Sequence, residues 1–207
     1  MLQVEKLKHS YGSSEISYPD WKVEKGDSGM ILGNSGSGKT TLLHLIGGLM
    51  KPTSGELHID GKNLAKMTAA ELDRFRGQHI GIVFQKPHLV RSLTVKENLS
   101  LAQTLGKKTR DNERINQILD NLGLGELKGR KVHQLSQGQA QRVSIGRALV
   151  NSPTLLLADE PTASLDDENC DKVIEMLKSQ AELSQATLIV ATHDQRVKKE
   201  FSNCLNL

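Results

Sequence analysis

The segment that most constrains the fold of this 207-residue chain is GNSGSGKT at residues 33–40. It follows the apolar run Gly29–Leu32 and precedes an amphipathic helical pattern that begins at Lys39. Glycines in such a segment let backbone N–H groups point inward at a phosphate, and the N-terminus of the following helix adds positive potential. The pattern G-x-x-x-x-G-K-[ST] between a strand and a helix therefore predicts a phosphate-binding loop.

The residue types of this loop also predict how a nucleotide is held. Lys39 supplies a positive charge to the β- and γ-phosphates, and the Thr40 hydroxyl is a predicted ligand for Mg²⁺. A magnesium–nucleotide complex is therefore the expected occupant. The residues predicted to bind it here are Gly33, Asn34, Ser35, Gly36, Ser37, Gly38, Lys39, Thr40 and Thr41.

A pair of acidic residues follows a second apolar strand. Asp159 and Glu160 come directly after the predicted strand at 154–158. Doubly wound sheets bind ligands at the carboxyl edge, where such side chains emerge. We interpret Asp159 as a Mg²⁺ ligand and Glu160 as the general base for an attacking water. The alternative is a pair of solvated acids at a turn, but adjacent carboxylates repel unless a cation compensates, which favours the metal.

Short apolar strands alternate with helical patterns along most of the chain. The predicted strands lie at 28–32, 55–59, 80–84, 154–158 and 187–191. The predicted helices follow Gly38, cover 69–76, 111–122 and 167–180, and begin at Ser136. Several strands are continuous apolar runs, which is typical of a parallel sheet covered on both faces. The alternation indicates an α/β fold, and Asp60-Gly61 predicts a hairpin turn near an N-terminal sheet.

Residues 86–151 differ from the rest, because their pattern is mostly helical and contains no convincing strand. We expect a helical insertion between two strands of the sheet. The overall composition is that of a globular protein, and a formal charge of +3 with six aromatic residues gives no indication of nucleic-acid binding. Two cysteines exclude a disulfide scaffold. The most apolar stretch, 42–50, is too short for a membrane-spanning helix.

A third motif decides which family the chain resembles. Ser136 and Gln139 form an S-x-x-Q capping box within LSQGQ at 135–139, which by itself predicts only a well-capped helix. In context this segment resembles the signature motif of ATP-binding-cassette (ABC) ATPases. The other motifs follow in that family's order: residues 33–40, Gln85, 135–139, Asp159-Glu160, Ser164-Leu165-Asp166 and His193.

The resemblance covers essentially the whole chain and implies the fold. It implies a P-loop NTPase with a RecA-like parallel sheet and helices on both faces. Residues 1–207 would form one ABC ATPase domain, in which 1–85 and 152–207 are the nucleotide-binding core with a small N-terminal antiparallel β subdomain. Residues 86–151 would be the inserted α-helical subdomain that carries the signature motif. The implied activity is Mg²⁺-dependent ATP hydrolysis, with ATP and Mg²⁺ bound.

The resemblance also implies roles for residues outside the phosphate loop. Gln85 resembles the glutamine that reaches Mg²⁺ and the attacking water, and His193 resembles the histidine that contacts the γ-phosphate. Tyr11 lies where the family usually has an aromatic residue that stacks on adenine. These assignments place Gln85, Glu160 and His193 in catalysis, and Thr40, Gln85 and Asp159 at the metal.

The family hydrolyses ATP as a head-to-tail dimer, which implies a second copy of this chain as a partner. Ser136 and Gly138 would contact the γ-phosphate of a nucleotide held by that copy, with Gln137 and Gln139 in the same motif. Asp166 would contact the partner across the dimer. The chain departs from the family at Gln137, where glycine is usual. We expect activity to survive, although a long side chain there is expected to hinder closure of the dimer.

Three phrases narrow the resemblance to one group of cassettes. IGGL at 46–49, KPTSG at 51–55 and IGIVFQ at 80–85 look like the group that serves lipoprotein release, macrolide export and cell division. This implies an integral membrane permease as partner, and a cytoplasmic chain that is peripheral on the inner or plasma membrane. The alternative is a soluble cassette that acts with cytosolic partners, as in iron–sulfur cluster assembly. The chain contains no Asn-Lys-x-Asp motif, which argues against a GTPase.

Overall fold

Two five-stranded sheets frame the structure, a computed structural model that describes residues 1–12, 14–163 and 167–207. The strands are β1 (Leu2–Tyr11), β2 (Ser14–Ser17), β3 (Trp21–Val23), β4 (Ser28–Leu32), β5 (Ser54–Ile59), β6 (Lys62–Asn63), β7 (Ile80–Val83), β8 (Leu155–Asp159), β9 (Thr187–Thr192) and β10 (Asn203–Asn206). The α-helices are α1 (Lys39–Ile46), α2 (Ala69–His79), α3 (Val95–Leu105), α4 (Asn112–Asn121), α5 (Gln137–Leu149) and α6 (Asp167–Leu183).

The parallel sheet has the strand order β10-β4-β9-β8-β7, and every neighbouring pair runs parallel. All residues of β8 and β9 are buried, because helices or the second sheet cover both faces. Successive side chains point to opposite faces: Leu188 and Val190 join a core with the helices α3 to α6, whereas Ile189 packs with α1 and the antiparallel sheet. The predicted α/β fold with helices on both faces is confirmed.

The second sheet is antiparallel and lies at the N-terminal side of the chain, with the order β2-β1-β5-β6 and β3 paired to β1. The hairpin predicted at Asp60-Gly61 is confirmed. Asp60 and Gly61 have φ of 49° and 75°, so both lie in the left-handed region that suits a tight hairpin between β5 and β6. The predicted strand at 55–59 thus belongs to this sheet and not to the parallel one.

The chain between β7 and β8 is fully described and mostly helical, as its pattern predicts. Helices α3 and α5 both begin with a reciprocal capping box, Thr94 with Glu97 and Ser136 with Gln139. The amide group of Asn151 donates hydrogen bonds to the carbonyl oxygens of Gly77 and Ala102, at 2.9 Å each, and so joins this helical part to α2. Within the described ranges, no helix is both long and apolar enough to cross a membrane.

Candidate functional site

A cavity of about 590 Å³ opens at the carboxyl edge of the parallel sheet. Each of four neighbouring strands delivers one part of its wall, because parallel strands all end at the same edge. The phosphate-loop segment follows β4, Gln85 follows β7, Glu160 follows β8 and His193 follows β9. The side chains and backbone that line the cavity belong to Tyr11, Ile16, Ser35, Gly36, Gly38, Lys39, Thr40, Thr41, Gln85, Glu160 and His193.

The phosphate-loop segment folds back on itself at the start of α1. Gly38 is the residue before the helix and has φ of +97°, which a side chain would strain. The Lys39 amino group donates hydrogen bonds to the carbonyl oxygens of Gly33 at 2.9 Å and Asn34 at 3.0 Å. The Lys39 side chain is therefore held inside the loop, and the residue is only 5% exposed. This places a buried positive charge at the helix N-terminus.

Glu160 joins the lysine to the histidine that follows β9. One carboxylate oxygen of Glu160 lies 3.4 Å from the Lys39 amino group, and the other lies 2.9 Å from Nδ1 of His193. The Thr192 hydroxyl donates to that second oxygen at 3.1 Å. Burial by itself would raise the pKa of Glu160, but the hydrogen bonds from His193 and Thr192 outweigh it, so the pKa lies below its usual value. Glu160 is ionised at neutral pH.

Asp159 is the last residue of β8 and does not itself line the cavity. Its carboxylate accepts a hydrogen bond of 3.2 Å from the Thr40 hydroxyl. Burial raises the pKa of Asp159 and the Thr40 hydrogen bond only partly opposes this. The Asp159 carboxylate, the Thr40 hydroxyl and the amide oxygen of Gln85, which lines the cavity with Thr40, are all hard oxygen donors, which fit Mg²⁺. In the described part of the chain, no group of three or more acidic, histidine or cysteine side chains is arranged to hold a metal ion.

Tyr11 lies at the rim of the cavity, half exposed, and its hydroxyl is 3.2 Å from that of Thr41. The exposed ring is therefore available to a planar ligand. Ser37 lies deeper: its hydroxyl is buried without a hydrogen-bond partner among the described residues. The Ser37 backbone N–H donates to the Asn34 carbonyl oxygen at 3.2 Å, which closes the turn.

The signature residues lie elsewhere. Ser136, Gln137 and Gly138 are exposed at the N-terminus of α5 and do not line this cavity. The predicted capping box is confirmed: the Gln139 N–H donates to the Ser136 hydroxyl at 3.2 Å, and the Ser136 N–H donates to the Gln139 amide oxygen at 2.9 Å. A separate groove of about 460 Å³ between α5 and α6 includes Gln137 and Gly138. Asp166, with Ser164 and Leu165, lies outside the described residues.

Two further links near Glu160 were not predicted from the sequence. The Thr192 hydroxyl, which donates to Glu160, accepts a hydrogen bond from the Asp194 N–H at 3.0 Å. The amide of Gln141, on α5, donates to the Pro161 carbonyl oxygen at 2.7 Å. The first link was visible as Thr-His-Asp directly after an apolar strand, whereas the second depends on how α5 packs and has no local signal.

The comparisons with known proteins decide the family. A family model described as "ABC transporter" matches residues 17–163. The chain belongs to this family. The ABC cassette MJ0796 has a dimeric structure in a post-hydrolysis state bound to ADP and Pi, and it matches with a TM-score of 0.88 and 34% sequence identity over 100% of this chain and 94% of that one. A second dimeric structure, of MJ0796 as a bacterial ABC transporter cassette, matches equally well.

A third structure comes from a different ABC protein. CbiO1 from Clostridium perfringens, part of the ABC transporter complex CbiONQ, matches with a TM-score of 0.88 and 32% identity over 99% of this chain and 83% of that one. The present chain is thus an ABC ATPase cassette with the P-loop NTPase fold, and it is structurally like the dimeric MJ0796 cassette. The predicted family and fold class are confirmed.

Proposed function

We propose that this ABC cassette binds ATP with Mg²⁺, hydrolyses it as a head-to-tail dimer and so drives a separate membrane partner. The observation that carries the proposal is the position of Glu160, whose carboxylate faces both Lys39 and His193 in the wall of one cavity. The proposal also takes the chain as a single cassette domain, with 1–85 and 152–207 as the core and 86–151 as the helical subdomain.

The loop at 33–41 would hold the phosphates. Its backbone N–H groups and the N-terminus of α1 favour an anion, and Lys39 adds a formal positive charge. The contacts come from Gly33, Asn34, Ser35, Gly36, Ser37, Gly38, Lys39, Thr40 and Thr41 in this proposal. Tyr11 would stack on the adenine, because its ring lies half exposed at the rim of the same cavity.

Thr40, Asp159 and Gln85 would hold Mg²⁺, which neutralises phosphate oxygens when bound. The buried Asp159 carboxylate has a raised pKa, so it is poorly compensated by its Thr40 hydrogen bond and would gain from a cation. Gln85 would contribute its amide oxygen from the segment that follows β7. The donor set of these three residues is what supports the assignment.

Glu160 would accept the proton of the water that attacks the γ-phosphate. Its lowered pKa keeps the carboxylate ionised at neutral pH, and its position at the cavity wall lets it orient a water for in-line attack. His193 would bind the γ-phosphate and hold the Glu160 carboxylate, to which its Nδ1 lies at 2.9 Å. Lys39 and His193 would balance the negative charge that develops on the phosphate oxygens.

The second half of each site would come from another copy of this chain. Ser136, Gln137, Gly138 and Gln139 lie at an exposed helix N-terminus, which is suited to contact a phosphate from outside. The dimeric state of the MJ0796 cassette supports this arrangement for the present chain. In this proposal Asp166 contacts the partner copy near the same interface.

A groove beside Gln85 is the proposed seat of the membrane partner. It has a volume of about 450 Å³, and its wall includes Phe84, Val90 and Leu105, of which Leu105 is 72% exposed. Arg147 on α5 donates hydrogen bonds to the carbonyl oxygens of Pro87 at 3.0 Å and His88 at 2.6 Å. A helix pressed into this groove would therefore act on both the segment after Gln85 and the signature helix.

The proposed partner is an integral membrane permease, and the chain would sit on the cytoplasmic face of the inner or plasma membrane. The participation of CbiO1 in the CbiONQ transporter complex supports a partner of this kind. Purification from detergent-solubilised membranes tests this part of the proposal. Recovery of an integral membrane protein with the chain supports it, whereas recovery only with cytosolic proteins contradicts it.

The Glu160→Gln variant tests the catalytic part. We expect it to bind MgATP, to lose about 100-fold or more in turnover, and to accumulate as a dimer in MgATP. The matched control is Glu182→Gln, which removes an exposed glutamate near the end of α6 and is expected to retain wild-type turnover. Turnover of Glu160→Gln near the wild-type rate would contradict the assignment of Glu160 as the base.

A further inference from the structure

Tyr18 lies directly behind the phosphate loop and takes no part in the proposed chemistry. It follows β2, its backbone N–H donates to the Leu7 carbonyl oxygen at 2.9 Å, and its side chain is 5% exposed. It belongs to the core shared by α1 and the antiparallel sheet. Its position is thus fixed by both the backbone of β1 and the surrounding apolar side chains.

The Tyr18 hydroxyl donates a hydrogen bond of 3.2 Å to the carbonyl oxygen of Gly38. A side chain at Gly38 would meet both this hydroxyl and the Ile16 side chain, at 3.2 and 3.4 Å from its first carbon atom. Ile16 and Tyr18 therefore lie against the glycine that precedes α1 and leave little space for a side chain there. Gly38 has left-handed φ, so the contact is made at the most conformationally demanding point of the loop.

The Gly38 carbonyl belongs to the same peptide plane as the Lys39 N–H. In a trans peptide these two groups point in opposite directions, so a hydrogen bond that fixes the carbonyl also fixes the direction of the N–H. The Lys39 N–H is one of the first N–H groups of α1, which have no partner within the helix and are free to bind an anion. The Gly38 carbonyl oxygen accepts two hydrogen bonds, one from the Leu42 N–H within the helix and one from the Tyr18 hydroxyl. Tyr18 is thus the side chain that helps to fix this peptide plane.

A group of hydroxyls connects this point to the rim of the cavity. Burial raises the pKa of Tyr18 to about 12, and both the Thr41 hydroxyl and Tyr11 are close enough to influence it. The Tyr11 hydroxyl lies 3.2 Å from that of Thr41. Tyr18 therefore stays protonated at any ordinary pH and remains a hydrogen-bond donor to the loop.

We propose that Tyr18 is a positioning residue for nucleotide binding: its buried hydroxyl holds the Gly38–Lys39 peptide so that the Lys39 N–H faces the phosphates. This inference rests on the proposed function. Tyr18 acts at the phosphate end of the site, so its contribution extends to any ligand that fills the loop with a diphosphate. A ligand without a nucleobase, such as magnesium pyrophosphate, is then sufficient to detect the contribution of Tyr18.

The test is the Tyr18→Phe variant, which removes the hydroxyl and leaves the ring in the core. We expect MgADP and magnesium pyrophosphate each to bind about fivefold more weakly than to the wild type, as one lost hydrogen bond predicts. In steady-state hydrolysis the KM for ATP rises by a similar factor, whereas kcat stays within about twofold. Isothermal titration calorimetry with both ligands and a kinetic assay provide these numbers.

The matched control is Thr187→Val at the opposite end of β9. It deletes another buried hydroxyl that bonds to the backbone, at the Glu24 carbonyl oxygen and the Gly26 N–H, far from the cavity. We expect it to lower thermal stability without changing affinity for either ligand. A loss of affinity shared by both variants would assign the effect to general destabilisation and overturn the proposal.

The remaining outcomes are equally decisive. Unchanged affinity of Tyr18→Phe for pyrophosphate, with or without a loss for ADP, overturns the role at the phosphate loop. Wild-type protein that binds neither ligand would remove the proposed function, and this inference with it. Equal binding of both ligands by the wild type and by Tyr18→Phe would overturn the role of Tyr18 and leave the proposed function in place.

Discussion

The carboxyl edge of the parallel sheet and the N-terminus of α5 both carry polar side chains, but the chain holds them differently. At the sheet edge Lys39, Asp159 and Thr192 are 5%, 7% and 0% exposed and connect through Glu160 and Thr40. At the helix, Ser136 and Gln139 bond to each other and their neighbours face solvent. The first arrangement pairs its buried polar groups within one chain, whereas the second leaves a capped helix N-terminus exposed at the surface.

This difference gives the proposed dimer a physical basis. Burying charged groups is unfavourable unless they are paired. Lys39 and Glu160 are paired, but burial raises the pKa of Asp159, so the charged form of Asp159 bears a stability cost at the sheet edge. An exposed and self-capped helix N-terminus bears no such penalty. Lys39→Ala and Asp159→Asn alter the sheet edge, whereas Gln137→Gly alters the helix N-terminus. Only the altered region is expected to respond in each case.

The largest effect is expected from Lys39→Ala at the sheet edge. Removal of the amino group deletes the only formal positive charge that residues 33–41 contribute and breaks the ion pair between Lys39 and Glu160. We expect MgATP affinity to fall by about 100-fold or more. Equilibrium binding measures this loss. Retained tight binding would show that the phosphate loop does not hold the nucleotide.

A smaller effect, a gain in thermal stability, is expected from Asp159→Asn. The pKa of Asp159 is raised in the folded protein, so its charged form is destabilising once the pH rises above the value of an unfolded aspartate. Without nucleotide or metal, the asparagine variant should therefore unfold a few degrees higher at pH 7. This advantage should shrink as the pH approaches 3.8, and MgATP binding should weaken at the same time.

Thermal unfolding across pH measures the first part of this prediction, and titration with MgATP measures the second. The matched control is Asp73→Asn on the exposed surface of α2, for which neither quantity should change in this way. A variant that is less stable than wild type at pH 7, with unchanged nucleotide affinity, would assign Asp159 to the structural frame and not to the metal site.

Much of the fold was predictable, because a strand that is buried on both faces is a continuous run of apolar residues in the sequence. The predicted strand at 28–32 agrees with β4, and that at 187–191 lacks one residue of β9. Strands β2, β3, β6 and β10 were not predicted, because they are short or polar and become strands only by pairing with neighbours. Strand β1 was also missed, although its buried Leu2 and Val4 alternate with the exposed Gln3. Helix α3 was not singled out, although Thr94 and Glu97 offer the same capping pattern as Ser136 and Gln139.

The candidate site divides in the same way. Lys39, Glu160 and His193 follow apolar strands, so parallel topology alone predicts that they meet, and they do. The role of Tyr18 had no signal, because its contact with Gly38 depends on how one sheet packs against the other. The Gln141 contact with Pro161 likewise arises from helix packing and cannot be derived from spacing.

The smallest effect is expected at the helix surface, from Gln137→Gly. Gln137 is the first residue of α5 and is exposed beside the groove between α5 and α6. Shortening it should ease closure of the proposed dimer, with a rise in turnover of about twofold and little change in nucleotide affinity of the monomer. Turnover and sedimentation in MgATP measure this. Unchanged turnover and dimerisation would show that the long side chain is no obstacle.

The most direct test of the central claim mixes two variants that are each expected to be inactive alone, Lys39→Ala and Ser136→Ala. If each site combines Lys39 of one copy with Ser136 of the other, a mixed dimer has one intact site and one doubly altered site. The mixture is then expected to recover hydrolysis, up to about a quarter of the wild-type rate, since half of the dimers are mixed. A rate no higher than that of the separate variants would contradict the account, because it would mean that both residues serve a site within one chain.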